Sequence, residues 1–253
     1  MFKTIFNLIK NEIGTEALNM GFMLENRAMP YIAVNPVSAT VDTQYSTSEL
    51  LLQYSFHFRI YSENRKQGKN LQGILINLLR GYSDTEVSNI HIPRVRIQEI
   101  RPQLFIIDVL ANVFTLFTKN LQFDALIGTG LTVNEALFDL YKQSNLPYKI
   151  VFSDYMLENE NYPYIVLTSI DEVNMEDRSC EAIYQGDYEL VLFNESLPEA
   201  DKIINKLIDL YHSGKIQCSE YNVEEFMLQN IVFTEVRPQL WQTNLIFNYQ
   251  HND

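Results

Sequence analysis

The sequence predicts an α+β protein made of two tandem copies of a small domain, in which helices pack on one antiparallel sheet. Three observations support this. The decapeptide MLENRAMPYI at 23–32 returns as MLENENYPYI at 156–165, with seven of ten positions identical. Other segments repeat in the same order along the chain. Within each copy, the spacing of apolar residues predicts the order α-β-β-α-β-β.

The repeat covers nearly the whole chain, which places the first copy at 1–126 and the second at 131–253. Residues 127–130 are left as a linker. Their Gly-Thr-Gly lacks the third glycine of a dinucleotide-binding loop, so a flexible connection is the better interpretation. The further matched segments are 5–10 with 137–142, 54–60 with 186–192 and 71–79 with 203–211, all at an offset of 132, and IQEIRPQL at 97–104 with FTEVRPQL at 233–240, at an offset of 136.

Each copy is predicted to contain two amphipathic helices. Apolar residues recur at i, i+3 and i+4 over 2–18 and 65–80 in the first copy, and over 133–144 and 197–212 in the second. Thr132 and Glu135 have the spacing of a capping box at the start of the second copy's first helix.

Four strands per copy alternate with these helices. In the second strand of the first copy, Phe56, Phe58 and Ile60 alternate with His57 and Arg59, which directs one face to a core and the other to solvent or a partner. The predicted strands are 30–34, 51–61, 94–101 and 104–116, followed by 163–168, 182–193, 230–237 and 239–248.

A polar stretch separates the first two strands of each copy, at 38–49 and 171–181. Both are longer than the two to five or so residues of a tight hairpin connection. We expect them to be extended arms that contact a neighbouring subunit. The candidate assembly residues on these arms are Val41, Asp42, Tyr45, Glu172, Glu176 and Asp177.

The duplicated Arg-Pro-Gln-Leu lies where the last two strands of each copy meet. Proline donates no backbone hydrogen bond and ends a strand ladder, so this motif is predicted to be a structural corner. The corner residues are Arg101, Pro102, Arg237 and Pro238. A paired binding site remains the alternative interpretation.

Neither a catalytic site nor a cofactor or metal site is predicted. Cys180 and Cys218 are not in a CxxC pair, and the four histidines are scattered along the chain. No phosphate loop or nucleophile elbow occurs, so the protein is not expected to be an enzyme. No apolar run approaches the length of a membrane span, and we expect a soluble protein made in a host cytoplasm.

Charge is divided unevenly between the halves. Residues 1–128 carry 12 Lys and Arg against 11 Asp and Glu, whereas residues 129–253 carry 7 against 21. Neither half has the basic stripe that grips phosphates, so sequence-specific nucleic-acid binding is not expected. The first copy is predicted to engage more in protein contacts. The second would present acid to a lumen or to open solvent, and burial of this acid against basic partner residues would contradict that hypothesis.

The plan of each copy resembles the bacteriophage tail terminator or tail completion family. The similar features are a leading amphipathic helix, the strands that begin at Pro30-Tyr31-Ile32 and Pro163-Tyr164-Ile165, the polar arm, and a strand followed directly by a second helix. This chain departs from the typical single-copy member by its duplication.

The resemblance implies a non-enzymatic structural protein of the virion that forms a ring at the head-to-tail neck, around the path of DNA. The implied partners are the chain itself, in a ring of six or twelve, and the adjacent portal, neck and tail ring proteins, without a membrane. A tandem protein- or ligand-binding module with no virion role is the alternative.

Overall fold

The protein is α+β, with helices and a large, mostly antiparallel sheet, as the sequence predicts at this level. The computed structural model describes residues 1–14, 18–21, 28–152, 162–169, 173–178, 181–219 and 222–252. The first residues of both decapeptides, and Cys180, therefore lie outside the described part of the chain.

The four helices in the described residues are those that the sequence predicts. They are α1 (Phe2–Ile13), α2 (Arg65–Leu79), α3 (Val133–Ser144) and α4 (Leu197–Tyr211). Helix α1 ends earlier than predicted because Gly14, with φ of 84° and ψ of 160°, leaves the helical conformation while its N–H still bonds to the Lys10 carbonyl.

The strands include all eight predicted segments and add four short ones, β1, β6, β7 and β11. A fifth additional strand, β9, lies in the second polar stretch. In chain order the strands are β1 (Leu18–Met20), β2 (Tyr31–Ser46), β3 (Glu49–Ser62), β4 (Asn89–Arg101), β5 (Leu104–Thr118), β6 (Ile127–Gly130), β7 (Lys149–Phe152), β8 (Tyr164–Ser169), β9 (Val173–Arg178), β10 (Glu181–Asn194), β11 (Lys215–Cys218), β12 (Asn222–Arg237) and β13 (Leu240–Asn252).

Unit 1 is a compact unit that comprises Met1–Thr43, Leu51–Phe117 and Phe233–Leu240. Its strands lie in the order β4-β5-β3-β2, and the end of β12 lies beside β2. Strand β1 runs parallel to the start of β2, with Leu18 opposite Ile32. Helix α1 covers the sheet through Phe2, whose ring meets Phe56 edge-on at a centroid distance of 5.8 Å.

Unit 2 comprises Gln44–Leu50, Thr118–Val232 and Trp241–Asp253. Its strands lie in the order β12-β13-β10-β8-β7, with β9 paired to β10. Strand β7 runs parallel to β8, with Ile150 opposite Ile165. The core contains stacked rings of Phe226 and Phe247, whose centroids are 5.1 Å apart.

Residues 127–130, expected to be a flexible linker, form strand β6 instead. It pairs in parallel with β11 in a separate two-stranded sheet. The strand lies so close to α3 that a Cβ at Gly128 would be 2.2 Å from the Ala136 carbonyl oxygen. The two glycines are therefore required by packing. An interpretation based only on the flexibility of glycine does not reveal this requirement.

The polar stretch 38–49 is not a long loop, and the expectation that it exceeds a tight turn is wrong. Strands β2 and β3 continue through it as a hairpin that turns at Thr47 and Ser48. In the second copy, β9 and β10 also form an antiparallel pair, with Arg178 opposite Glu181. Residues 171, 172, 179 and 180 lie outside the described part of the chain.

Several matched positions of the two halves have the same local structure. Tyr31 stacks on Tyr61 at 4.7 Å, and their counterparts Tyr164 and Phe193 stack at 5.0 Å. Two further features occur in both halves: a cis bond before Pro30 and Pro163, and a φ of 65° at Gln103 and Gln239.

The second helix of each half begins alike. Before α2, the N–H of Asn64 donates to the hydroxyl of Ser62 at 3.2 Å. Before α4, the N–H of Ser196 donates to the side-chain oxygen of Asn194 at 2.6 Å. Both pairs are separated by the repeat offset of 132. Each anchors the residue that caps the helix to the end of the preceding strand.

Candidate functional site

The first candidate surface is the outer edge of β4. This 13-residue strand pairs with β5 along one side, and in the described part of the chain no strand pairs with its other side. Val95 and Ile97 lie opposite Val109 and Ile107, which are both buried, so they belong to the core-facing side of the sheet. They are nevertheless 39% and 37% exposed. A long edge with exposed apolar residues is a site for strand pairing.

The counterpart of this edge in the second half is already covered. Segment Phe233–Leu240, which matches 97–104, lies in unit 1 where the end of β12 pairs with β2. We call it the exchanged segment. Phe233, the counterpart of Ile97, is only 5% exposed. Its ring packs edge-on against Phe2 at 5.0 Å and alongside Tyr54 at 6.5 Å.

A second candidate surface is the other face of the unit 1 sheet. Asp108 on β5 accepts from Arg59 Nε at 2.8 Å and lies 2.9 Å from His57 Nε2. Burial lowers the pKa of His57, and the neighbouring Asp108 opposes this shift. The sequence predicts the outward orientation of His57 and Arg59. Asp108 joins them only because β5 pairs with β3 in the sheet.

Arginines from β4 extend this cluster. Arg96 lies directly opposite Asp108 in the β4–β5 pair, and Arg94 lies opposite Leu110. With His57, Arg59 and Gln98 these residues line an open cavity of about 370 Å³. One carboxylate faces three guanidinium groups, so the cavity carries an excess of positive charge that suits an anionic group.

The third candidate surface is the tip of the β2–β3 hairpin, Gln44–Leu50, which belongs to unit 2. The carbonyl of Ser48 accepts from the N–H of Lys119 at 2.7 Å. Lys119 is buried, and its Nζ lies 3.0 Å from Asp124 Oδ1. An open cavity of about 350 Å³ lies between the hairpin tip, the segment after β5 and the end of α4.

The arm residues predicted from the sequence are distributed as follows. On β2, Val41 is half-buried, whereas Asp42 and Tyr45 are exposed. Glu176 and Asp177 lie on β9, and Glu172 lies outside the described residues. The hairpin tip, Gln44–Leu50, belongs to unit 2. The expected contact of this arm with a neighbouring subunit stays a prediction.

The predicted corner residues lie at matching turns. Arg101, Pro102, Arg237 and Pro238 are all exposed, at the turns that join β4 to β5 and β12 to β13. Gln103 and Gln239 follow the prolines with positive φ, which is the conformation of the third residue of a type II turn. The structure thus places all four residues at strand corners. The two corners are far apart in sequence and have the same local geometry.

Buried polar groups in unit 2 give one further site, at the end of α4. His212 is 1% exposed, and its Nδ1 accepts from the N–H of Leu228 at 3.1 Å. Burial lowers its pKa to about 4, with a smaller contribution from Lys119. Because Nδ1 is the acceptor, the neutral ring carries its proton on Nε2. Burial raises the pKa of the nearby Asp209 carboxyl.

We expect unit 2 to lose stability as the pH falls from about 6.5 to about 4. In that window the unfolded state binds a proton at His212 and the folded state does not, which removes roughly 3 kcal/mol from the free energy of unfolding. Asp209 opposes this, because its raised pKa favours the folded state on acidification. His212→Asn keeps an acceptor for Leu228 and should flatten the pH dependence in urea unfolding. An unchanged slope would contradict the assignment.

The comparisons with known proteins show little similarity to this chain. No protein-family model matches the chain, and no curated protein matches it. Among solved structures, one similar chain comes from a virion of a native gene transfer agent particle. It has 11% identity and a TM-score of 0.37, over 44% of this chain and 91% of that one. This similarity is too low to carry a conclusion about function.

Two further properties of the described residues concern membranes and metals. None of the described helices is both long and apolar enough to cross a membrane. Within the same residues, no three His, Cys, Asp or Glu side chains come together as metal ligands would. Cys218 is half-buried.

Proposed function

We propose that this chain is a tandem duplication of a tail-terminator-like domain, and that it is a non-enzymatic structural protein of a virion. In this proposal it forms a ring at the head-to-tail neck, around the path of DNA, between portal or neck proteins and tail ring proteins. The ring holds six or twelve chains. The resemblance of the sequence motifs to the tail terminator family suggests this class of protein. The arrangement of the strands supports assembly of the chain into a ring.

Support for the duplication comes from the strand orders. Unit 1 contains β4-β5-β3-β2, and unit 2 contains β12-β13-β10-β8. Matching the repeats makes β12 the counterpart of β4, β13 of β5, β10 of β3 and β8 of β2. The two orders are therefore the same. The short strands β1 and β7 also correspond, since each runs parallel to the start of its neighbour.

The observation that carries the ring is the exchanged segment. Segment Phe233–Leu240 is grouped with unit 1, and β12 is the neighbour of β2 in the strand order. On the proposed duplication, this means that the two copies associate through unlike edges. Such a contact is heterologous. When such a contact is repeated between chains, it produces either a closed ring or a filament. A ring of such domains is the arrangement that the family resemblance implies.

The mass of the purified chain in solution tests this function. We expect a discrete particle of six or twelve chains of 29.5 kDa each by light scattering after sizing chromatography. The particle should persist on dilution to the micromolar range. A chain that stays monomeric at all concentrations, or that stops at a dimer, would contradict a ring.

A ligand-binding module is the second candidate, and the positively charged cavity beside Asp108 favours it. Under that function a monomeric chain would bind an anion such as inorganic phosphate. The variant Arg94→Ala with Arg96→Ala would abolish binding, whereas Arg65→Ala on α2 would not. Titration calorimetry that detects no heat for phosphate, together with a ring by light scattering, would exclude this candidate in favour of the first.

A further inference from the structure

We infer that chains contact one another through the outer faces of their sheets, with the basic outer face of unit 1 in one chain packed on the acidic outer face of unit 2 in the next. This inference deepens the proposed ring and rests on it, because it names a surface through which chains of the ring would meet. The partner is a second copy of this chain. The contact lies on the faces of the sheets, apart from the edge of β4.

The two faces are made of matched positions of the repeat. Strands β4, β5 and β3 are neighbours in unit 1, and their counterparts β12, β13 and β10 are neighbours in the same order. Side chains on the inner side of these strands, such as Phe56 and Leu190, are buried. The outer positions 55, 57 and 59 of β3, 94 and 96 of β4, and 108, 110 and 112 of β5 form what we call the basic patch. Their counterparts in unit 2, at offsets of 132 on β10 and 136 on β12 and β13, form the acidic patch.

Matched positions of the two patches form the same contact across strands. In the basic patch, the hydroxyl of Ser55 donates to Asn112 Oδ1 at 3.2 Å. In the acidic patch, Asn248 Nδ2 donates to Asp187 Oδ1 at 2.9 Å. Because the same two positions meet in both units, the outer side chains are arranged alike, and the patches differ chiefly in which residues they carry.

The patches carry opposite charges. The basic patch has the three arginines of the cavity against one carboxylate, Asp108, which leaves a net charge of +2. His57 counts as neutral in this balance because burial lowers its pKa. At the matched positions of unit 2, Asp187 and Glu189 are the charged residues, which gives −2.

Neither patch neutralises its own charge. The single carboxylate of the basic patch already accepts from Arg59 at 2.8 Å and cannot offset all three guanidinium groups. In the acidic patch, Asp187 and Glu189 accept from the side-chain amides of Asn248 and Asn244. A neutral amide leaves the charge of a carboxylate uncompensated, and each carboxylate has further lone pairs that can accept from a guanidinium group.

An apolar side chain occupies the middle of each patch. The middle strand of the three contributes Leu110 to the basic patch and Ile246 to the acidic patch, and both side chains are half-buried. Leu110 also lines the open arginine cavity of about 370 Å³. An apolar centre with polar and charged groups around it is the usual composition of a protein interface. Carboxylates of an opposing β10 would enter the cavity while the two apolar centres meet.

Charge selects unlike patches as partners. Two basic patches repel each other, as do two acidic ones, whereas a basic and an acidic patch attract. The contact is therefore heterologous, as a ring requires. It should weaken as salt screens the charges. It uses Asp187 and Glu189 and does not involve the acidic segment 171–181.

The test uses two charge variants of the full chain, measured by light scattering across a concentration series. Arg94→Glu with Arg96→Glu gives a chain with two negative patches, and Asp187→Lys with Glu189→Lys gives a chain with two positive patches. Alone, each should raise the concentration of half-assembly by at least about tenfold. Mixed in equal amounts, they should assemble near the concentration of the unaltered chain, because each positive patch again meets a negative one.

Two controls make the same changes in net charge on exposed residues outside both patches. They are Arg65→Glu with Arg80→Glu on α2, and Glu195→Lys with Glu199→Lys at the start of α4. Both should assemble like the unaltered chain, and circular dichroism spectra verify that all variants fold. If the lysine variant of the acidic patch does not fold, its isosteric form, with Asn at 187 and Gln at 189, should still weaken assembly.

Each outcome decides between the claims. If the unaltered chain stays monomeric at all concentrations, the ring and this contact both fail. If it stops at a dimer, the ring fails, and the variants decide whether the dimer uses the patches. If it assembles and each patch variant behaves like its control, the ring stands and the contact between patches is overturned. If both variants weaken assembly and their mixture does not recover it, the patches do not meet each other and the inference is again overturned.

Discussion

Replacing Phe233 with alanine should lower the free energy of unfolding by about 3–5 kcal/mol, the range for truncating a buried aromatic residue. The side chain is 5% exposed and contacts Phe2 and Tyr54. Ile97→Ala at the matched position should cost less than about 1 kcal/mol in the unassembled chain, since much of the side chain already contacts water. Urea unfolding under dissociating conditions measures both values.

The difference between these two variants tests the exchanged segment. Both side chains precede the same Arg-Pro-Gln-Leu turn, so the local sequence alone predicts similar costs. Equal losses, or a loss below about 1 kcal/mol for Phe233→Ala, would contradict the placement of Phe233–Leu240 against α1 and β3. In assembled material, Ile97→Ala should weaken association while Phe233→Ala mainly weakens folding.

Gly128→Ala should destabilise unit 2 by about 3 kcal/mol, because the new methyl group has no space. Its Cβ would lie 2.2 Å from the Ala136 carbonyl oxygen and 2.8 Å from Leu140 Cβ, so either β6 or α3 would have to move. Thermal unfolding followed by circular dichroism is a suitable measurement.

Gly73→Ala on α2 is the matched control for that substitution. No atom lies within 4 Å of a Cβ built at Gly73, and the residue is inside a helix. Alanine there should raise stability by roughly 0.5–1 kcal/mol. If Gly128→Ala is as well tolerated as Gly73→Ala, then 127–130 is a flexible linker after all and not a strand packed on α3.

The helices and the main strands could be predicted from the sequence because their apolar periods are strong. The alternation of Phe56, Phe58 and Ile60 with His57 and Arg59 fixes the two faces of β3, and the structure buries the first set. Thr132 and Glu135 also behave as predicted in part. The Glu135 N–H donates to Thr132, but the Glu135 carboxylate accepts from Leu131 and not from the N-cap itself.

The exchange of Phe233–Leu240 could not be predicted, for a physical reason. IQEIRPQL and FTEVRPQL have the same local preferences, and which of them is covered depends on tertiary contacts with Phe2 and Tyr54. The sequence also does not predict strands β1, β6, β7 and β11, because segments of three or four residues are too short to show a hydrophobic period. The cluster of His57, Arg59 and Asp108 depends on strand register, which the sequence did not determine.

The acidic segment 171–181 is interpreted from the sequence. Acid in a polar stretch is usually a solvated surface, and a lumen or solvent is its natural surrounding. Strand β9 includes Glu176 and Asp177, whereas 171, 172, 179 and 180 lie outside the described part of the chain. The lumen-or-solvent interpretation therefore stays a prediction.

Electron microscopy of the purified particle tests the central claim most directly. We predict closed rings in which the number of domains around the circumference is twice the number of chains determined from the mass. Particles with a two-fold axis relating like edges, open filaments only, or isolated chains at every concentration would contradict this account.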